Sequence, residues 1–265
     1  TVLLEGFKAG EISAIREFNS ESWTSQYDFP RAVNGDVVQT EIPHGKPSGM
    51  TGLAMNTRRA PFDDWRVRSA LIHAFNFEYI NDTLTGGVQP RITSYFSNSV
   101  LSMQDGPAAP DVAALLEPYA DDLPPDTLQG YALPVSDGSA RNRQGLRAAT
   151  KLLQEAGFSA EGGTLRGPDG TPFTFDILLP KGSTENIAIA DIYIGALKRL
   201  GITAQIETVD DAQFLSRTNS FDFDMTFFRR ALSLSPGNEQ RYYWGSEAAT
   251  AEGSRNLPGI HNPAV

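Results

Sequence analysis

The chain has 265 residues, 40% hydrophobic and 10% aromatic, with 22 Lys and Arg against 32 Asp and Glu, a formal net charge of −10. This balance excludes free-standing nucleic-acid binding, which needs clustered cations facing phosphates; the densest basic group, Arg58, Arg59, Arg66 and Arg68, is interleaved with Asp63 and Asp64. The apolar content fills a core and excludes disorder as the main state, no stretch approaches the roughly 18 apolar residues of a spanning helix, and the absence of cysteine removes disulfides, thiolate nucleophiles and Cys-ligated zinc together.

The opening Thr1-Val2-Leu3-Leu4-Glu5-Gly6 has no basic n-region, long h-region or initiator Met, so the chain reads as a processed form or an excised piece. From Val2 to Phe18, Leu3, Leu4 and Phe7 followed by Ala9-Gly10 predict a short helix closed near a glycine, then a strand or turn. Residues 19–50, rich in Pro and Gly, read as a connector with one strand around Asp36–Ile42. Gly52–Asn56 is a short apolar run suited to a buried strand.

Val67, Ala70, Leu71, Ala74, Phe75, Ile80 and Leu84 recur at helical spacing and predict one helix from Trp65 to Leu84, with Asp63 or Asp64 as its N-cap. Residues 86–134 are loop-rich, with a short helix at Asp111–Glu117. An amphipathic helix follows at Arg141–Ala156, with Gly157 at C′. The run Leu165–Phe173 places Asp169-Gly170 between extended arms, a hairpin signal. A strand at Phe173–Leu179, a helix at Glu185–Leu200, a strand at Thr203–Val209, a helix at Asp211–Thr218 and a strand at Asp222–Phe228 complete the pattern. That β-α-β-α-β order predicts an α/β fold with parallel neighbouring strands and helices packed on the sheet. The polar tail after Trp244 carries no closing element and reads as cut.

Enzymatic chemistry finds little support. No Gly-x-Ser-x-Gly elbow occurs, and His44, His73 and His261 have no suggestive partners; His73, between Ile72 and Ala74, reads as a packed or surface histidine. His44-Gly45-Lys46-Pro47 breaks the phosphate-loop pattern. The pairs Asp63-Asp64, Asp121-Asp122 and Asp210-Asp211 sit before helices or in polar loops, where capping explains them. Asn81-Asp82-Thr83 has the form of a glycosylation sequon and reads as chance.

One segment resists a purely structural reading. Phe227–Trp244 follows a buried strand and gathers hydroxyl, amide, carboxylate, guanidinium and aromatic groups. Ligands of open α/β sheets bind beyond the carboxyl ends of strands, and polar groups beside aromatic surface suit a small-molecule site. A surface loop with a Ser-Pro-Gly turn is the competing reading.

The run Asn56-Thr57-Arg58-Arg59-Ala60-Pro61-Phe62-Asp63-Asp64-Trp65-Arg66-Val67-Arg68-Ser69-Ala70 resembles the motif of the peptide-type extracellular solute-binding proteins, family 5, which serve ABC importers. That motif has an Asn ending a strand, a Pro-Phe-x-Asp, and Arg-Val-Arg-x-Ala opening a helix that ends near Ala-x-Asp; Asn76 stands where the family usually has Asp. Ala148–Phe158 resembles the family's A-x-x-L-L-x-E-A-G-F helix, and the later strands fall in the family's order. Trp23–Pro30, Tyr95–Ser99 and Ser235-Pro236-Gly237-Asn238-Glu239-Gln240 are closer to the oligopeptide and microcin C branch.

The resemblance implies a periplasmic-binding-protein-like lobe of type II, cluster C: α/β, with a mixed sheet and flanking helices. Family members are longer, with two lobes joined by a hinge. Residues 1–50 correspond to the end of the first lobe and a crossover, and 51–265 to the second ligand-binding lobe, truncated at its C-terminus. The implied function is capture of oligopeptides or peptide-like solutes between the lobes and delivery to membrane permease subunits. No catalysis, cofactor or metal is implied. A monomer in the periplasm or outside the cell is implied, with a lipoprotein anchor as an option.

By the family pattern, the Asp that pairs with a peptide's α-amino group falls on Ser233, a neutral hydroxyl that cannot neutralise an ammonium. Either Glu239 takes that role or the amino end is not gripped in that way. The candidate contacts are Arg229, Ser233, Ser235, Asn238, Glu239, Gln240 and Trp244, with Arg217 and Tyr95 beside them. An oligosaccharide or other non-peptide ligand is the alternative within binding proteins. A carboxylate-dependent hydrolase, or an interaction domain without a site, is the alternative outside them.

Overall fold

In a computed structural model that describes residues 2–17 and 20–265, the chain divides into two units, one of residues up to 44 with 81–90 and the other of 45–80 with 91–265. The elements run α1 (Val2–Ala9), α2 (Ser20–Ser25), α3 (Pro30–Val33), β1 (Met50–Met55), α4 (Trp65–Ala74), α5 (Phe77–Thr85), α6 (Pro110–Leu116), α7 (Thr127–Gly130), α8 (Arg143–Glu155), β2 (Ser159–Glu161), β3 (Thr164–Arg166), β4 (Thr174–Pro180), α9 (Thr184–Arg199), β5 (Thr203–Val209), α10 (Asp211–Asn219), β6 (Met225–Arg230) and α11 (Glu239–Trp244). Short stretches of 3-10 helix occupy Glu117–Asp122 and Ser246–Ala249.

In the first unit, α1 buries Leu4 and Phe7 and ends at Gly10, whose φ of +84° glycine adopts without strain. The expected segment's end at Phe18 lies outside the described residues. Phe7 meets Phe29 edge-on at 6.1 Å, Tyr27 packs on both, and the Arg31 guanidinium donates to the Phe7 carbonyl. The strand expected over 36–42 is absent. Val38 and Ile42 are 78% and 81% exposed, and among the described residues no strand pairs with this stretch.

The second unit is built on a four-stranded sheet of order β1-β6-β4-β5, in which β4 runs parallel to β5 and β6, while β1 pairs antiparallel with β6 from Met50↔Arg230 to Met55↔Met225. β1, expected to be buried, is a half-exposed edge strand. The last strand begins three residues later than its sequence suggests, because the ladder starts where β1 supplies a partner; Phe221, before it, has φ of +57°. Phe175, Ile177 and Leu179 of β4 and Met225 of β6 face α4, α8 and α9 in the main core, and Leu178 packs with Val209, Phe221 and Phe223 in a second one.

The helix expected over Trp65–Leu84 is two. Phe75 leaves helical geometry (ψ 100°), and buried Asn76 donates to the Ser139 carbonyl and accepts from Ser136, contacts that a continuous helix would not allow. The Asp169-Gly170 turn forms, but Pro168 and Pro172 remove donors beside it and a single bridge, Arg166↔Pro172, closes it. The ladder is instead β2–β3, around Gly162-Gly163. Of the acidic pairs, Asp64 caps α4 by accepting from Arg66 N and Asp210 caps α10 by accepting from Gln213 N. No described helix is long and apolar enough to cross a membrane.

His73, in the last turn of α4, is held below the usual histidine range by burial. The folded state therefore favours the neutral ring, and the unfolded chain binds more protons below its own value near 6.5. Stability should fall as pH drops from 7.5 to 5.5, and Tm should fall less over this interval in His73→Gln; equal slopes in the two proteins would sink the assignment.

Candidate functional site

Along β6 the side chains alternate. Met225 and Phe227 point to the main core, so Phe228 and Arg230 emerge on the opposite face. There Trp244, from the last turn of α11, tilts over Phe228 at 6.2 Å and over Tyr95 at 4.4 Å, with Tyr243 edge-on to it at 6.0 Å. The Arg230 guanidinium lies over the Tyr243 ring at 4.1 Å and the Phe228 ring at 5.2 Å, within cation–π range.

Tyr95 is fixed from below. The Ser97 hydroxyl accepts from Thr93 N and Ser94 N and donates to the Ser94 carbonyl, and Ser97 O accepts from Ser48 N. Burial pushes the Tyr95 phenol up to about 12, so it stays protonated. Gly49 passes so close to β6 that a Cβ would stand 2.3 Å from the Arg230 carbonyl, and its φ is +76°; only glycine fits this crossing.

Beyond β6, residues 231–239 are exposed apart from Leu232, which is half-buried. Ser233 Oγ accepts from Ser235 N and donates to Ser235 O, so both serines are used in closing a turn. Asn238 precedes α11 without capping it through its side chain. The Glu239 carboxylate accepts from Gly237 N at 2.8 Å and from Gln240 Nε2, and the Gly237 amide is the first cause holding it below the usual range. Trp244 Nε1 donates to Gln240 Oε1 at 3.0 Å. Arg229 is exposed on β6, opposite Thr51 of the edge strand β1.

The structure thus brings Tyr95, Gln240 and Trp244 together, with Ser233, Ser235 and Asn238 on the adjoining loop, Glu239 at the start of α11 and Arg229 on β6. It does not bring Arg217 there. That guanidinium pairs with Glu207 at 2.6 Å and Asp222 at 3.2 Å, before β6 begins, and the hydrogen bond it donates to Glu207 is the first cause raising it further. The six residues of β6, at about 3.3 Å each, separate it from the loop by roughly 20 Å. Arg59, bridging Asp222 and Asp224, completes this ion-pair cluster. Phe228, Arg230 and Tyr243, within the Phe227–Trp244 run but not among the candidate contacts, join the site; for Phe228 and Arg230 the signal was i, i+2 alternation along a two-sided strand.

Two cavities of ≈ 200 Å³ each lie elsewhere, around Asn142, one lined by His73 and Gly145 and the other by Asp191 and Arg199. Neither is lined by residues 229–244. The loop beyond β6 is exposed, whereas Phe228 beneath Trp244 is buried. Among the described residues no group of three or more His, Asp or Glu could hold a metal ion.

Comparison with known proteins relates the chain to a family. Residues 1–252 match the bacterial extracellular solute-binding proteins, family 5 Middle. The chain is 41% identical over 266 residues to an inferred binding protein of Brucella melitensis biotype 1, covering all of this chain and 43% of the relative. It is 37% identical over 273 residues to the peptidoglycan-binding protein YepA of Agrobacterium fabrum, covering all of this chain and 44% of YepA. The oligopeptide-binding protein AppA of Bacillus subtilis, solved with a nonapeptide, superposes with a TM-score of 0.66 at 20% identity over 99% of this chain and 44% of AppA. The chain thus spans under half the length of the proteins it matches, and the fold is that of a periplasmic-binding-protein-like α/β lobe with a mixed sheet.

Proposed function

Because the chain belongs to the family 5 extracellular solute-binding proteins, we propose that it is the ligand-binding heart of an ABC importer's solute receptor, which captures peptide-like solutes outside the cytoplasm and hands them to permease subunits in the membrane. Residues 51–265 form the second lobe in this reading, and 1–50 the end of the first lobe and a crossover. The observation that carries it is the aromatic and polar surface at the carboxyl end of β6, where open α/β sheets take ligands.

The mechanism is binding without chemistry on the ligand. Extended peptides bind through their backbones, and waters bridge variable side chains at little cost, so many sequences are accepted. A surface on one lobe discriminates weakly. Ligand stabilises the closed receptor only through contacts to both lobes, and a hinge motion brings these together. Support for a peptide-like solute comes from YepA, called peptidoglycan-binding, and AppA, solved with a nonapeptide, while another solved neighbour holds mannohexaose.

Mass spectrometry of solutes released from the purified full-length protein tests the reading, with peptide-like molecules as the expected result; an oligosaccharide would replace it with the sugar reading. Against whichever peptide is recovered, Trp244→Ala should weaken calorimetric affinity about tenfold or more, the scale of a central aromatic contact. Unchanged affinity would place Trp244 outside the contact surface.

A further inference from the structure

Residues 106–130 of the second unit close on themselves. Ala108 N donates to the Leu128 carbonyl at 2.9 Å, and a Cβ on Gly130 would stand 2.7 Å from the Gly106 carbonyl oxygen. Between these ends α6, the 3-10 helix at Glu117–Asp122 and α7 contain no buried residue. Val112 and Leu115, three positions apart on one face of α6, are 43% and 74% exposed, and Tyr119 is 38% exposed.

A helix of seven residues falls short of the roughly 12–15 that hold together alone in water. Helices this short form by burying an apolar face, and here that face has no core beneath it. Large apolar side chains gathered on one exposed segment mark an interaction surface.

Charge selects what covers it. Asp105, Asp111, Glu117, Asp121, Asp122 and Asp126 lie on or beside this segment, and residues 92–140 contain no lysine or arginine. Among the described residues none of the six carboxylates enters an ion pair. An anionic membrane surface would be repelled by this rim, and so would a second copy of a chain whose net charge is −10. A basic polypeptide gains from the apolar face and from the rim together.

We propose that the 106–130 segment docks a lysine- and arginine-bearing amphipathic stretch of a partner protein, whose apolar side covers Val112, Leu115 and Tyr119 while its cations meet the acidic rim. The inference goes beyond solute capture and does not depend on where the solute binds.

Fluorescence anisotropy on the full-length protein tests it, with an amphipathic Leu-Lys peptide and its Leu-Glu counterpart as probes. The Leu-Lys peptide should bind at least about tenfold more tightly than the Leu-Glu peptide, and salt should weaken it. Leu115→Ser should lower that affinity about tenfold, as should Asp111→Asn, Asp121→Asn and Asp122→Asn combined, with solute affinity unchanged in both. Leu115→Cys, in a stretch without cysteine, should react with a maleimide in the free protein and be protected by the Leu-Lys peptide.

Equal binding of the two peptides, or Leu-Lys binding that these variants leave intact, would overturn the inference. So would a Leu115→Cys thiol that fails to react in the free protein, which would show the face covered by the protein's own chain. A dimer that Leu115→Ser dissolves would give the face to a second copy, and binding to phosphatidylglycerol vesicles that it abolishes would give it to lipid. If a variant fails to fold, the two peptides and the salt dependence on the native protein still decide.

Discussion

Asn56→Ala should cost the folded chain about 3–5 kcal/mol, lowering Tm by roughly 10 °C or more. The side chain is 1% exposed and fully employed: Nδ2 donates to the carbonyls of Phe221 and Phe223, and Oδ1 accepts from the backbone and guanidinium of Arg58. Alanine would take the side-chain donor from the carbonyls of Phe221 and Phe223, leaving Phe221 O only the Phe223 amide, and release one of the partners of Arg58. That arginine also donates to the carbonyls of Ala249, Asn256 and Leu257 and lies over the Phe221 ring at 3.7 Å. Burial pulls it down to about 10, so it remains charged at neutral pH.

The chain of contacts reaches the candidate site, because Asn256 Nδ2 donates to the Gly245 carbonyl, next to Trp244. The Asn-Thr-Arg start of the sequence motif is therefore a clamp on the segment that follows α11. Chemical denaturation of Asn56→Ala checks this, and Asn56→Asp should do no better, since its carboxylate would face the carbonyls of Phe221 and Phe223. A loss under about 1 kcal/mol in the alanine variant would mean the amide is replaceable by water.

Much of the second unit was legible because helical spacing and caps are local signals. Asp64, Asp210 and Gly157 stand where the sequence places them, and the parallel pairing of β4 with β5 and β6 follows from the alternation of strand and helix. What escaped depends on distant partners. The break at Phe75–Asn76 comes from Ser136 and Ser139, some sixty positions away. The bounds of β6 are set by β1, across more than 160 positions, which is why Arg229 and Arg230 belong to a strand rather than to the loop. In the candidate loop, α11 was hidden by a run of polar residues without an apolar stripe, and Tyr95 meets Trp244 only through a turn knotted by Ser97. Arg217 shows the opposite failure: nearness in sequence to β6 suggested a place at the site, while the parallel topology puts it at the strand's other end.

Phe62→Ala should be the second severe substitution, destabilising by about 3–5 kcal/mol as expected for an aromatic ring removed from a core that cannot collapse. Phe62 is 2% exposed and sits where β4 meets the start of α4, edge-on to Phe175 at 5.3 Å and to Phe173 at 6.2 Å. Phe173 in turn packs on Phe158, so the cavity would open among the three remaining rings, Phe158, Phe173 and Phe175. The backbone at Phe62 is pinned as well, its carbonyl accepting from Arg68 and its amide donating to Arg59 O. This local anchoring keeps the chain from sliding into the void. Phe62→Leu fills most of the volume and loses the edge-to-face contacts, worth about 0.5–1.5 kcal/mol per aromatic pair, so it should recover more than half of the loss. The ring lies in the main core, away from Trp244 and Arg230, so ligand affinity per folded full-length molecule should be unchanged in both variants. Denaturant titration and calorimetry together test this: a stable Phe62→Ala protein, or a folded one that binds poorly, would refute the division between the motif's packing role and the binding surface at β6.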